Sequence, residues 1–292
     1  MRRLAVVAIL LVTSCGSFLA QTHTISLAFK TGDTYKYALH VVLDYTVGAQ
    51  GLSIPLQLDL TAKETVTVKS VDPGGTADVA VALSDITVKS TINGTTSSTV
   101  ARNETVELKV SSDGRVTSVN GKAIPNGSMP DFTGTGSSFI SAVLPDHAVK
   151  VGDTWTKSYD IANTAGSGTV HVATDNNYPR DEQVGGVDAA VIESKIKSNF
   201  DLTFDTSSLQ SALPMLPPSN PTSGTLKNVT VKGTVSSDVT SWIDINGHRI
   251  VKTHSKGASD ATIDLEMSSG ASPGFSGPIT LKGTQTVDID PA

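Results

Sequence analysis

The 292-residue chain has little of what usually marks a catalyst or a nucleic-acid partner. It contains one cysteine, which excludes an intramolecular disulfide. Aromatic residues make up 5% of the chain, and the basic residues form no cluster. With a formal net charge of −6, the lack of a basic patch argues against nucleic acid as a partner. It argues equally against electrostatic docking on anionic lipid.

Long apolar runs are missing too, except at the N-terminus. Arg2 and Arg3 precede an apolar run over residues 4–12, which is too short to cross a membrane and is typical of a secretory signal peptide. Cys15 follows closely, and this arrangement resembles the processing box of bacterial lipoproteins. The resemblance implies a signal peptide over residues 1–14, a lipid on Cys15 and a tether over 15–24. The alternative is simple secretion, with a signal peptide over residues 1–20.

Some motifs of metal and nucleotide chemistry are also lacking. The sequence has no His-Glu-x-x-His metal motif and no phosphate-binding glycine loop. His40 and His171 fall at strand positions that we interpret as exposed. We therefore predict no catalytic residue, no metal site and no cofactor.

What the chain does contain is an alternation of apolar and polar residues with a period of two. From Tyr35 to Tyr45 every second residue is apolar, and most of the residues between them are polar. The pattern recurs over residues 52–68 and through the second half, which predicts long antiparallel strands with one buried face. The apolar register changes in the third strand, which predicts a β-bulge near Ser84.

These strands predict an all-β fold of long curved antiparallel sheets, either a half-barrel or two packed β modules. The modules would cover residues 25–130 and 131–292 and form one continuous unit. Residues 137–144 and 207–213 each begin with serine and are followed by proline. They predict two short helices that cover a sheet face like lids.

A motif of the form Lys-x-Gly-Asp-Thr-aromatic occurs twice, at residues 30–35 and 150–155. We interpret each copy as a turn that begins a strand, and the repetition favours an internal duplication. With Tyr37 after the first copy and Leu144-Pro145 before the second, the chain resembles a family of uncharacterised exported bacterial proteins and lipoproteins. That resemblance implies no functional residue. More remotely, long strands with short helices are similar to the lipoprotein-carrier half-barrels of bacterial envelopes.

Charged residues in apolar registers, and large residues near the strand starts, are candidate ligand-facing positions. Glu64, Arg102 and Glu104 interrupt the apolar alternation, and a buried charge requires a partner. The alternative is that these strand ends extend beyond the core and are exposed to solvent. The remaining candidates are large apolar residues, for which a role in the core is the alternative: Tyr35, Tyr37, Leu39, Leu56, Leu58, Trp155, Tyr159, Phe200 and Phe204.

Together these features predict a non-enzymatic protein of the bacterial cell envelope. It would be attached to a membrane only through its N-terminal lipid, or else be secreted or periplasmic. Its expected partner is a lipid or another apolar or amphipathic small molecule, bound on a concave sheet face. One alternative is a structural or protein-interaction module whose partner is another envelope protein. The third and least favoured class is a hydrolase.

Overall fold

The computed structural model describes residues 22–123, 144–163, 166–205, 226–267 and 277–292. Within these ranges the chain forms thirteen β-strands and no helix, so the predicted all-β class is confirmed. Cys15, residues 137–143 and residues 207–213 lie outside them. The strands are β1 (Thr34–Ala49), β2 (Leu52–Val71), β3 (Ala77–Ile92), β4 (Thr95–Val100), β5 (Glu104–Val110), β6 (Val116–Val119), β7 (Lys122–Ala123), β8 (Thr154–Ala162), β9 (Gly166–Val184), β10 (Val187–Asp205), β11 (Leu226–Asp244), β12 (Ile250–Met267) and β13 (Ile279–Pro291).

All the strands belong to one antiparallel sheet. Its order is β7-β6-β5-β3-β2-β1-β13-β12-β11-β10-β9-β8, and β4 pairs with the part of β3 that β5 leaves free. The first and last strands are neighbours, since Tyr37 pairs with Pro291 and Gly48 pairs with Thr280. Strands from both predicted modules therefore share one hydrogen-bonded sheet.

Side-chain alternation gives this sheet one buried face. Residues directly opposite each other on neighbouring strands point to the same side. Leu39 of β1 pairs with Ala62 of β2 and with Ile289 of β13, and all three are buried. We call the side to which these residues point the concave face, and the other side the outer face.

The concave face encloses a hydrophobic core at one end of the strands. This core includes Val116 of β6 and Trp155 of β8, which come from opposite margins of the sheet. Residues so far apart in strand order share a core only if the sheet curls, as strand twist allows. We call this end, where the turns at residues 72–76 and 185–186 lie, the closed end. The opposite end of the strands is the open end.

The segment that precedes β1 helps to fill the closed end. Ile25 and Leu27 are each 3% exposed and belong to the core. The backbone of His23 pairs with that of Val149, ahead of β8. The Leu27 N–H donates to the Ser112 carbonyl at 2.7 Å. These contacts tie the segment to two separate loops of the sheet.

The two copies of the repeated motif form turns of the same geometry. Gly32 and Gly152 have φ angles of 93° and 95°, in the left-handed region that glycine adopts without strain. The Gly32 N–H donates to the Val68 carbonyl at 2.8 Å, and the Gly152 N–H donates to the Tyr178 carbonyl at 2.7 Å. Each turn leads directly into a strand, β1 or β8, so both copies have a structural role.

The predicted β-bulge is present in β3. Thr61 pairs with Thr87 and Lys63 pairs with Ser84, so β3 contains one residue more than β2 across this interval. Asp85, within the bulge, has a φ angle of 51°. The extra residue changes which positions of β3 face the core, as the apolar register of the sequence indicated.

Candidate functional site

The open end of the concave face is apolar and exposed. Six large apolar side chains are exposed in the described part of the chain, and four of them lie here. Leu52 is 66% exposed and Ile92 is 52% exposed, and they are joined by Ile54 and Leu265. Ile92 pairs with Leu56, which places it on the concave face. Apolar surface left in water is unfavourable by about 25 cal/mol per Å², so such a patch favours a binding surface.

One side of the concave face, which we call the apolar wall, is formed by β1, β2 and β3. Its side chains are large and almost all apolar, and their exposure increases from the closed end to the open end. Glu64 is the exception. The wall consists of Tyr35, Tyr37, Leu39, Val41, Leu43, Tyr45, Leu56, Leu58, Leu60, Ala62, Glu64, Val66, Leu83, Ile86 and Val88.

The other side, which we call the hydroxyl wall, lies on β10, β11 and β12. Small hydroxyl side chains occupy concave-face positions in the middle of these strands, and most of them are buried. The Ser237 and Ser255 hydroxyls lie 2.8 Å apart and hydrogen-bond to each other. The wall consists of Ser194, Ser198, Ser237, Ser241, Thr253, Ser255 and Ser259.

Several polar atoms in and beside the hydroxyl wall have unused hydrogen-bonding capacity. The Oγ atoms of Ser194, Ser198, Ser241 and Ser259 have no hydrogen-bond partner among the described residues. The same is true of Oδ1 of Asn176, which pairs with Ser194 from β9. Buried polar groups in proteins are normally hydrogen-bonded. This wall therefore offers donors and acceptors to a molecule that enters the concave face.

Glycine residues near the hydroxyl wall give space to aromatic rings. Gly283 of β13 pairs with Tyr45, and Gly233 of β11 pairs with Phe200. A Cβ atom on Gly283 would lie 2.6 Å from the Tyr45 ring, and one on Gly233 would lie 2.8 Å from Cζ of Phe200. Each ring thus occupies the volume that a larger side chain on its glycine partner would need.

Glu64 lies on the apolar wall close to the closed end. It pairs with Tyr37 on β1 and with Leu83 on β3, and it is 1% exposed. Neither carboxyl oxygen has a hydrogen-bond partner among the described residues. Burial raises the pKa of Glu64 to about 7, because the charged form loses its hydration. A buried carboxyl with a shifted pKa is a candidate functional group.

Other polar groups at the closed end are paired. The Tyr37 hydroxyl donates to the Ile250 carbonyl at 2.6 Å, and so reaches across β13 to β12. Nε of Arg249 lies 3.2 Å from an Asp244 carboxyl oxygen, and the guanidinium group lies 5.6 Å from the centre of the Tyr35 ring. Burial raises the pKa of Tyr37, and it raises the pKa of Tyr35 to about 12.

The structure brings most of the predicted ligand-facing residues onto the concave face. Tyr37, Leu39, Glu64 and Trp155 are buried near the closed end. The others are partly buried on the same face: Tyr35, Leu56, Leu58, Tyr159, Phe200 and Phe204.

Two of the predicted ligand-facing residues are absent from the core. Arg102 and Glu104 are exposed where β4 passes into β5, and Glu104 pairs with Leu83 at the margin of the concave face. Ligand contact by any of the predicted residues stays a prediction.

The hydroxyl wall is not among the positions predicted from the sequence. Ser194 and Ser198 fall in the same alternation as Ile192 and Ile196, and this shared register was the available signal. Serine is mostly exposed in proteins. A serine in an apolar register is therefore easily assigned to the solvent side.

The outer face is polar and carries exposed ion pairs. A groove of about 620 Å³ crosses the strands β8 to β11, and the outward side chains along it include Asp175, Glu193, Lys195 and Asp238. His40, His171 and His254 each lie beside an aspartate on this face. In the described ranges no group of three or more His, Cys, Asp or Glu residues is placed to hold a metal ion.

Comparison with known proteins gives no relative from which a function follows. No family model matches the chain, and no curated protein matches it. The described residues form no helix long and apolar enough to cross a membrane. The function therefore has to be argued from the concave face.

Proposed function

We propose that this protein is a non-enzymatic component of the bacterial cell envelope that binds an amphipathic or apolar ligand on its concave face. The observation that carries the proposal is the exposed apolar surface at the open end, formed by Leu52, Ile54, Ile92 and Leu265. Covering one such side chain stabilises a complex by about 1.5–3 kcal/mol. A ligand with an apolar chain gains this energy without any change in the core.

The hydroxyl wall supports an amphipathic ligand in particular. Its unpaired hydroxyl groups lie deeper on the same face than the apolar residues at the open end. One ligand can therefore place an apolar chain at the open end and a polar group farther in. Ligand sites of this kind are mostly apolar, with a few placed polar groups that fix the orientation.

The N-terminal sequence supports the cellular part of the proposal. Arg2, Arg3 and the apolar run over residues 4–12 favour export, and Cys15 favours a lipid anchor. Several acyl chains on one cysteine hold a protein at a membrane far more firmly than a single chain does. The protein would thus hold its ligand next to a bilayer.

The proposal is tested by calorimetric titration of the intact chain with 1-O-dodecylglycerol, a neutral amphipath, below its micelle concentration. Leu52→Asp and Ile92→Asp place a charge on the apolar surface at the open end. Each should weaken binding by about tenfold or more, because the apolar chain loses a partner worth about 1.5 kcal/mol or more. Both side chains are already exposed, so the fold should tolerate the changes.

Val100→Asp is the matched control. Val100 is 77% exposed, and it pairs with Thr87 in the middle of β3, which points to the outer face. Its substitution should leave binding unchanged. No binding by the unmodified chain, or equal losses in all three variants, would rule the proposal out.

A second candidate function, a protein-interaction module, is favoured by strand β4. All six residues of β4 are exposed, and among the described strands β4 pairs only with β3. The strand contains Ser, Thr and Val, without the charges or proline that usually protect a free strand. Such a strand is suited to pairing with an extended segment of another protein. The titration separates the two candidates, since only the first requires the amphipath to bind.

A further inference from the structure

Charge is distributed unequally over the concave face. Alternation places a few charged residues of the described strands on this face: Glu64, Lys157, Glu104 at the start of β5, and Asp181 and Asp188 at the closed end. Lys157 lies 3.6 Å from a carboxyl oxygen of Asp146. At the closed end, Arg249 is paired with Asp244. Each positive charge near this face therefore has an acidic partner already.

Glu64 differs from these groups because its carboxyl lacks any such partner. The residues beside it on this face are Tyr37, Ala62, Val66 and Leu83, and none of them carries a positive charge. Both carboxyl oxygens are buried without a hydrogen-bond partner among the described residues. A buried carboxylate is strongly disfavoured until a donor or a cation reaches it. When one does, the charge-assisted hydrogen bond is among the strongest available to a protein.

The hydroxyl wall adds neutral hydrogen-bonding groups to the unpartnered carboxyl of Glu64. A hydroxyl both donates and accepts, so Ser194, Ser198, Ser241 and Ser259 suit a polar group that carries hydroxyls or amines. They supply no net charge to balance an anion. An anionic group entering this face would lose its hydration and would meet an acid instead of a free cation.

We infer that the ligand's polar head carries no negative charge, and that this face recognises an ammonium or a neutral hydroxyl-bearing head, with Glu64 as the group that selects for the ammonium. The inference rests on the proposed function and specifies the class of ligand for the same face. It places the apolar chain toward the open end. The head lies toward the hydroxyl wall and the closed end.

Three amphipaths with the same apolar chain test the inference: dodecylamine, 1-O-dodecylglycerol and dodecanoate. Each is titrated into the intact chain at neutral pH, below its micelle concentration. The amine and the glycerol ether should bind, and dodecanoate should bind at least about tenfold more weakly than the amine. If dodecanoate bound most tightly of the three, the inference would be overturned and the proposed function would remain.

Glu64→Gln tests the assigned role of the carboxyl. The substitution keeps the shape of the side chain and removes its charge, and urea unfolding checks that the variant is folded. The affinity of this variant for dodecylamine should fall by about tenfold, to the level of its affinity for 1-O-dodecylglycerol. Its affinity for 1-O-dodecylglycerol should equal that of the unmodified chain. An unchanged ratio of amine to dodecanoate affinity would overturn the role of Glu64.

Glu193→Gln is the control for this variant. Glu193 is exposed and points to the outer face of β10, so its substitution should leave all three affinities unchanged. The remaining outcome is that none of the three amphipaths binds. In that case the proposed function itself fails, and the inference about the head fails with it.

Discussion

The apolar wall and the hydroxyl wall differ in side-chain volume as well as in polarity. On the apolar wall, leucine, valine and tyrosine fill the core at the closed end. On the hydroxyl wall, serine and threonine occupy several concave-face positions, and β13 beside it contributes Gly283. Large residues reach over small residues of a neighbouring strand, as the ring of Tyr45 does at Gly283. Protein interiors are close-packed, so volumes that complement each other let a curled sheet fill its own interior.

The two walls also differ in how they carry polar atoms. The hydroxyl wall spreads its unpaired atoms over several neutral hydroxyls, each of which has a modest cost of burial. The apolar wall carries one carboxyl group, Glu64, beside its tyrosine hydroxyls. The free-energy cost of burying this carboxyl depends on pH, whereas the cost of burying the hydroxyls does not. Stability measurements can therefore separate the two walls.

The largest expected effect concerns Glu64 and pH. Its pKa is raised from 4.5 to about 7 in the folded chain, so the folded state holds the proton more tightly than the unfolded state does. The contribution of Glu64 to stability is therefore greatest below about pH 4.5 and falls as the pH rises through about 7. The fall amounts to about 3 kcal/mol. Glu64→Gln should abolish this part of the pH dependence, as measured by urea unfolding at about pH 4 and about pH 8.

Other titratable groups near Glu64 do not account for this pH dependence. Tyr35 has a pKa of about 12, and the pKa of Tyr37 is raised as well, so neither ionises in the range tested. Asp244 and Arg249 are paired with each other. Glu193→Gln, on the outer face, should keep the pH dependence of the unmodified chain. If Glu64→Gln and the unmodified chain lost the same stability between the two pH values, the prediction would be wrong.

A smaller loss is expected from adding volume beside the hydroxyl wall. In Gly283→Ala, the new Cβ atom would meet the carbonyl oxygen of Asp44 and would lie 2.6 Å from the Tyr45 ring. Because the contact with Asp44 is to backbone, the strands must shift, at a cost of about 1–3 kcal/mol in the free energy of unfolding. Urea unfolding at constant pH measures the change.

Ser259→Ala is the matched control for this substitution. Ser259 pairs directly with Gly283. Its change to alanine removes the hydroxyl oxygen beside Gly283 and adds no volume. It should not destabilise the protein. Equal losses of stability in Gly283→Ala and Ser259→Ala would show that side-chain volume is not what limits the residue at this position.

The smallest effect is expected from removing one unpaired hydroxyl. Ser198 is 1% exposed and its Oγ atom has no hydrogen-bond partner among the described residues. Ser198→Ala should therefore stabilise the protein by up to about 1 kcal/mol, since a desolvated polar atom is removed. Thermal unfolding would register a rise in Tm for this variant. Ser236→Ala, exposed on the outer face, should leave Tm unchanged, and a lower Tm in Ser198→Ala would refute the prediction.

The fold could be predicted from the sequence to a considerable depth. Alternation places Tyr37 and Leu39 on a buried face, and the change of register in β3 locates the bulge at Ser84 and Asp85. These features are local, because the period of two and the position of a bulge are determined along a single strand. The left-handed turn at Gly32 is local in the same sense.

The candidate site could be predicted only in part. Glu64 was recognised because a charge in an apolar register is conspicuous within one strand. The hydroxyl wall depends on which strands become neighbours, and serines on three strands form a wall only once β10, β11 and β12 are paired. Register across long loops is not encoded in local alternation. The exposure of Arg102 likewise follows from where β4 ends and β5 begins.

The pairing of β1 with β13 has a consequence for the order of folding. Tyr37 pairs with Pro291, so one long side of the first strand has no partner until the last strand arrives. Contacts between residues so distant in sequence form slowly, because a large loop must close first. A chain that emerges N-terminus first therefore presents an unpaired strand until β13 arrives, and such a strand is prone to aggregation. Completion of the sheet must wait for β13, which gives chaperones a defined target and a defined interval in which to protect it.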